Sequence, residues 1–202
     1  MNKKSIFLKL EFIKSAGSSA ELPDDVGLEI AVCGRSNSGK SSILNVITEN
    51  KNLAKTSKRP GRTQTMNVFS FKEDPSRRIV DLPGYGYAQV SKKMRFDWGN
   101  AIDKYLNCRQ SLVGLLIIMD IRHIFQNKDL ELINWSNANN MPVKILLNKA
   151  DKISRNKSML IRKESIKILN QLGSGSEIQI FSNRLGIGIK ELRVTLSNWL
   201  EL

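Results

Sequence analysis

Residues 34–41 read Gly34-Arg35-Ser36-Asn37-Ser38-Gly39-Lys40-Ser41, followed by Ser42, and fit the spacing G-x-x-x-x-G-K-[ST]. Those residue types describe a way to hold phosphate. Glycines let the backbone curl until successive N–H groups point inward at phosphate oxygens. Lys40 is placed to reach the β- and γ-phosphates as the catalytic cation, and the Ser41 hydroxyl to ligate Mg²⁺. A helix starting here adds the positive end of its dipole. Downstream, Asp81-Leu82-Pro83-Gly84 follows the apolar Ile79-Val80. An aspartate at a strand end can hold Mg²⁺ through water, and a glycine lets a backbone N–H approach a γ-phosphate without a side-chain clash. Asn148-Lys149-Ala150-Asp151 has the N-K-x-D spacing. The Asp151 carboxylate can accept from N1–H and the exocyclic amine of guanine together, whereas adenine would leave it unpaired in a desolvated pocket. Asn148 is expected to bond the base edge and brace the phosphate loop, with the Lys149 stem lying over the ring.

Two weaker segments complete the candidate site. Phe181-Ser182-Asn183 follows the last apolar strand, and its backbone is placed to meet the guanine O6. Between the first helix and the second strand lies Lys58-Arg59-Pro60-Gly61-Arg62-Thr63-Gln64-Thr65. A loop in that place can order around a γ-phosphate, with a threonine closing on Mg²⁺. Thr63 is the first choice for that ligand and Thr65 the second.

Elements with the right order stand behind these loops. Apolar, β-branched runs predict strands near 28–33, 66–72, 77–81, 112–119, 142–147 and 177–181. Helical spacing predicts helices near 40–49, 95–108, 128–138, 156–171 and 188–201. The strands at 66–72 and 77–81 are joined by Glu73-Asp74-Pro75-Ser76, read as a hairpin turn. Elsewhere strand and helix alternate. The expected fold is therefore α/β, with three layers: a mostly parallel six-stranded sheet, one antiparallel edge strand, and helices on both faces. Ligand then sits beyond the carboxyl ends of the strands, where every motif above falls. Residues 1–25 are less regular and are read as an extension packing on the domain formed by 26–202.

Composition narrows the partners. The chain has 202 residues, with 32 Lys and Arg against 19 Asp and Glu, for a formal charge of +13. That excess points to a polyanion larger than a nucleotide, and RNA fits best. No segment pairs a basic face with a strong apolar face, so a membrane surface is set aside. The longest apolar run, Leu112 to Met119, is too short to span a bilayer, and Lys9, Glu11 and Lys14 interrupt any signal-peptide core. The expected location is the cytoplasm. The two cysteines, Cys33 and Cys108, have no metal spacing and are read as buried, inert thiols. No coiled-coil pattern is present, so a monomer is expected.

Taken together, the motifs resemble translation-factor-type GTPases, and specifically the EngB (YihA/YsxC) family of bacterial ribosome-biogenesis GTPases. The resemblance rests on residues 34–42, on Pro60-Gly61-Arg62-Thr63-Gln64, and on Asp81-Leu82-Pro83-Gly84-Tyr85-Gly86-Tyr87-Ala88. It continues through Trp98, Tyr105-Leu106, Asp120-Ile121-Arg122-His123, Asp129 and Asn148-Lys149-Ala150-Asp151-Lys152. It implies GTP and GDP binding, Mg²⁺, slow hydrolysis and a part in assembling the large (50S) ribosomal subunit, with a family link to septum formation in cell division. Asn148 stands where family members often carry threonine, and Asn183 where Ser or Ala is usual. Asn37 resembles the P-loop asparagine of GTPases that bind K⁺ beside the phosphates. Tyr85 follows D-x-P-G where many GTPases place a water-orienting glutamine, which predicts slow intrinsic hydrolysis. Two other readings remain open: a P-loop ATPase or nucleotide kinase, and a non-catalytic RNA-binding assembly factor that uses GTP only for stability.

Overall fold

The computed structural model describes residues 6–54, 65–85 and 101–202. Its sheet has seven strands: β1 (Leu10–Ala16), β2 (Leu28–Gly34), β3 (Met66–Phe71), β4 (Asp74–Asp81), β5 (Leu112–Asp120), β6 (Val143–Asn148) and β7 (Glu177–Ile180). They lie in the order β1-β3-β4-β2-β5-β6-β7. From β4 to β7 every neighbouring pair is parallel, while β3 is antiparallel to β4 and β1 to β3. The helices are α1 (Lys40–Ile47), α2 (Asn127–Ala138), α3 (Arg155–Gln171) and α4 (Ile189–Trp199), and residues 101–108 are also helical.

The central strands are apolar at nearly every position because both faces are covered. Ile30, Val32, Leu116 and Ile118 join one core with Ile43, Leu44 and Ile47 of α1 and Leu192 and Leu196 of α4. Their neighbours in sequence, Ala31, Cys33, Leu115 and Ile117, join the other core, with Ile102, Tyr105 and Leu106, Ile133 of α2 and Leu169 of α3. A period of two along each strand thus feeds two cores at once.

Three differences from the sequence reading have local causes. The sheet has seven strands, not six: β1, from within the first 25 residues, is the edge strand, and β3 is interior. Five of the seven β1 residues are exposed and a register shift lies between Phe12 and Lys14, so no alternation marks the strand in sequence. The turn between β3 and β4 is at Lys72 and Glu73, and Pro75 lies in β4. Proline is tolerated there because pairing with β2 begins only at Arg77. Cys33 is buried as expected, but Cys108 is exposed. Ile102, Tyr105 and Leu106 carry the buried face of that helix, and Cys108 falls off it.

At the end of the sheet opposite the P-loop, Glu29 is fully buried. Its carboxylate accepts from Arg78 Nε at 2.6 Å and from Arg109 Nε and Nη2 at 2.9 and 2.6 Å. The same guanidinium groups donate to the carbonyls of Pro23, Asp24 and Val26. This ties the chain entering β2 to β4 and to the residue following the 101–108 helix.

Candidate nucleotide site

Apart from Thr65, which precedes the antiparallel β3, every described segment read as a nucleotide contact leaves the carboxyl end of a parallel strand. Gly34 ends β2, Asp81 ends β4 and Asn148 ends β6, and residues 181–183 follow β7. The loop from Gly34 to Lys40 needs left-handed backbone at Asn37 (φ 65°) and at Gly39 (φ 109°), which caps α1. A Cβ on Gly39 would lie 2.3 Å from Asn148 Nδ2, so only glycine fits there.

The N-K-x-D segment braces this loop from the side. Asn148 Nδ2 donates to Ser38 O at 2.8 Å, and Lys149 Nζ donates to Asn37 O at 2.6 Å. Lys149 also pairs with Asp120 Oδ2 at 3.0 Å. Asp120, at the end of β5, receives Arg122 Nε and Nη2 at 2.9 and 2.7 Å as well. Burial works against that carboxylate's charge, but the hydrogen bonds from Arg122 and Lys149 outweigh it and hold the group well below the usual range. Asp120 therefore positions the lysine expected to cover the base. The resemblance marked the residue, and nothing in its spacing signalled that role.

Asp151 is oriented in turn by Ser182, whose hydroxyl donates to Asp151 Oδ1 at 2.8 Å and keeps the carboxyl below its ordinary value. Ala150 N–H donates to Phe181 O at 3.1 Å, fixing the two loops to each other. The sequence reading assigned residues 181–183 a backbone contact. The geometry adds that the Ser182 side chain holds the carboxylate, while Asn183 Oδ1 is buried with no hydrogen-bond partner among the described residues.

At the phosphate end, Lys40 Nζ donates to Gly34 O at 3.3 Å. Asp81 is buried, and burial pushes its carboxyl up to about 6 against the opposing effects of Lys40 and of a hydrogen bond from Ser41. Among the described residues its Oδ1 has no hydrogen-bond partner, nor have the buried hydroxyls of Ser36 and Ser38. Unsatisfied buried polar atoms are costly unless a ligand completes them. Arg35 and Ser36 lie against Tyr85 through a short parallel bridge. Leu82 N–H donates to Val32 O at 3.0 Å, and Pro83 is buried beside it. Ser41 and Ser42 lie in the first turn of α1. Tyr85 is buried with its hydroxyl donating to Asp129, and it lines a cavity of about 150 Å³ with Leu82, Ile102, Leu106 and Trp135 and with the charged Asp103, Lys128 and Glu131. Thr65 lies immediately before β3, whereas Gly61, Arg62, Thr63 and Gln64 fall outside the described residues. His123 is exposed, and its backbone N–H donates to Asp120 O at 2.8 Å. Among the described residues no helix is long and apolar enough to cross a membrane, and no group of three or more His, Cys, Asp or Glu could hold a metal.

Comparison with known proteins bears on this geometry. The family described as 50S ribosome-binding GTPase matches residues 29–149. The probable GTP-binding protein EngB of Aeromonas salmonicida (strain A449) is 46% identical over 196 residues, covering 96% of this chain and 88% of that protein. That of Haemophilus influenzae (strain PittGG) is 44% identical over 195 residues, covering 95% and 92%. Among solved structures, a probable GTP-binding protein engB superposes with a TM-score of 0.65 at 20% identity, over 86% of this chain and 98% of that one. A point variant of Aquifex aeolicus Era bound to GDP·AlF₄⁻ gives 0.67 at 24% identity, over 85% and 56%. These two structures share the fold.

Proposed function

Because the chain belongs to the EngB family of P-loop GTP-binding proteins, and is on that ground a GTPase, we propose that it acts as a GTP-driven switch in assembly of the large ribosomal subunit. One observation carries the nucleotide reading. A loop whose buried hydroxyls lack a partner among the described residues, a buried aspartate with one oxygen likewise unmatched and a carboxylate held by a serine all open at one end of one sheet. The first two suit a phosphate chain and its cation, and the third suits a guanine edge.

The residues fit Mg²⁺. Asp81 and the Ser41 hydroxyl would hold it, Asp81 through water, with Thr63 or Thr65 as a further ligand. Bound Mg²⁺ would neutralise charge on the phosphates. Lys40 stabilises negative charge on the transferring phosphoryl group, and the loop N–H groups orient it. The residues that would bind GTP and GDP are 34–42, Gly61 to Thr65, 81–84, 148–151 and 181–183. The buried Tyr85 hydroxyl is engaged by Asp129, so no side chain at that position orients the attacking water, and intrinsic turnover is slow. Asn37 is exposed and offers a carboxamide beside the phosphates for K⁺, so turnover should be faster in K⁺ than in Na⁺ buffer. Equal rates in the two would remove that ion from the account.

The partner side of the proposal rests on charge. Arg155, Lys157, Lys163 and Lys167 all lie on the exposed side of α3, accompanied there by one acidic residue, Glu164. Such a face suits the phosphates of rRNA, and we place the protein in the cytoplasm as a monomer bound to 50S subunits or their precursors. Its link to septation is proposed on family grounds alone. The test is sedimentation with 50S precursors in GDP and in a non-hydrolysable GTP analogue. Co-sedimentation should be stronger with the analogue, and equal association would favour a non-catalytic assembly factor. Calorimetry should show GTP binding and no measurable ATP binding.

A further inference from the structure

The segment Asp81–Tyr85 lies on the P-loop more closely than binding of a diphosphate requires. Ser36 N–H donates to Tyr85 O at 2.9 Å, and Arg35 and Tyr85 pair as a parallel bridge. Gly84 is so near that a Cβ added to it would lie 2.7 Å from Ser36 Oγ and 2.9 Å from Lys40 Nζ. Lys40 itself is folded back onto the carbonyl of Gly34. The terminal phosphate of a triphosphate needs the space between the lysine and the glycine N–H. In this conformation backbone fills that space, and the Ser36 N–H is already used.

A side-chain bond also holds the arrangement from behind. Tyr85 is 5% exposed and its hydroxyl donates to Asp129 Oδ1. Asp129 cannot follow a moving tyrosine freely. Its Oδ2 accepts the Gln126 N–H at 2.9 Å, and the residue forms part of the capping box of α2. Arg35 lies close enough to act on both groups electrostatically. The tyrosine is thus fastened at its backbone to the phosphate loop and at its hydroxyl to the start of a helix.

We propose that the Tyr85–Asp129 bond is a latch that keeps the Asp81–Tyr85 segment down over the P-loop, making Asp129 a residue that sets the preference for diphosphate over triphosphate. The inference rests on the nucleotide-site reading given above. A diphosphate ends short of Gly84 and leaves the latch closed. A triphosphate must lift Gly84, break the bond between Ser36 and Tyr85, and pull against Asp129. Part of the interaction energy of the third phosphate is then spent on opening, and affinity for the triphosphate falls by that amount.

Tyr85→Phe removes the hydroxyl and leaves the α2 cap intact, and Asp129→Asn is the companion variant, with thermal unfolding to confirm that each is folded. Affinities for GDP and for a non-hydrolysable GTP analogue are measured at fixed Mg²⁺. In Tyr85→Phe the analogue should bind about tenfold more tightly, the factor expected for losing about 1.4 kcal/mol of a hydrogen bond to a carboxylate. GDP affinity should change less than about twofold, because the closed form is the one it uses. Asp129→Asn should shift the ratio in the same direction. Equal changes for both nucleotides, or an unchanged ratio, would overturn the latch while leaving the site standing. Failure of the unaltered protein to bind either nucleotide would overturn the site itself.

Discussion

Replacing Asp81 with asparagine should make the nucleotide-free protein more stable while abolishing its Mg²⁺-dependent turnover. Burial lifts the carboxyl from an ordinary 3.8 to about 6, so the folded chain binds this proton more tightly than the unfolded chain does. Ionised Asp81 therefore works against folding, and stability rises as pH falls through 6 toward 4. Linkage puts the cost at about 3 kcal/mol at pH 7.5, roughly half of that at pH 5 and a small remainder at pH 4. Asparagine keeps the shape without the charge. For a domain of this size the variant should unfold roughly 6–12 °C higher at pH 7.5. Wild type should close most of that gap by pH 4. Scanning calorimetry of both proteins without nucleotide, at pH 7.5, 5 and 4, measures this, and single-turnover hydrolysis at saturating Mg²⁺ measures the functional loss. A difference under about 2 °C at pH 7.5, or one that does not narrow with acid, would refute the argument that a buried charge is retained here for a cation at the expense of stability.

Two further outcomes follow from the contacts. Ser182→Ala removes the hydroxyl that orients Asp151, so GTP affinity should fall about five- to tenfold with little change in the affinity for inorganic triphosphate, and equal losses for the two in calorimetry would contradict the base-side role. Glu29→Gln leaves two buried guanidinium groups without their carboxylate and should cost about 3–5 kcal/mol, roughly 6–20 °C in melting temperature. Because Glu29 is about 16 Å along β2 from Gly34, turnover per folded molecule at low temperature should be unchanged, and a lowered rate there would show the network reaches the site.

Much of the site was legible because its chemistry depends on local spacing. The residues from Gly34 to Ser41, from Asp81 to Gly84 and from Asn148 to Asp151 each act through a few consecutive positions. The central strands declared themselves by long apolar runs. The strand β1 did not, because an edge strand with five exposed residues and a register shift carries no period to read. Partnerships across the chain were equally silent. Glu29 meets Arg78 and Arg109, Asp120 holds Lys149, and Tyr85 reaches Asp129, all between residues far apart in sequence. Sequence determined which groups leave the strand ends, because backbone curvature and functional-group chemistry are properties of neighbouring residues. Tertiary structure decided which of those groups are buried, which are paired and which have no hydrogen-bond partner among the described residues. Desolvation and hydrogen-bond partners come from chain segments that only folding brings together.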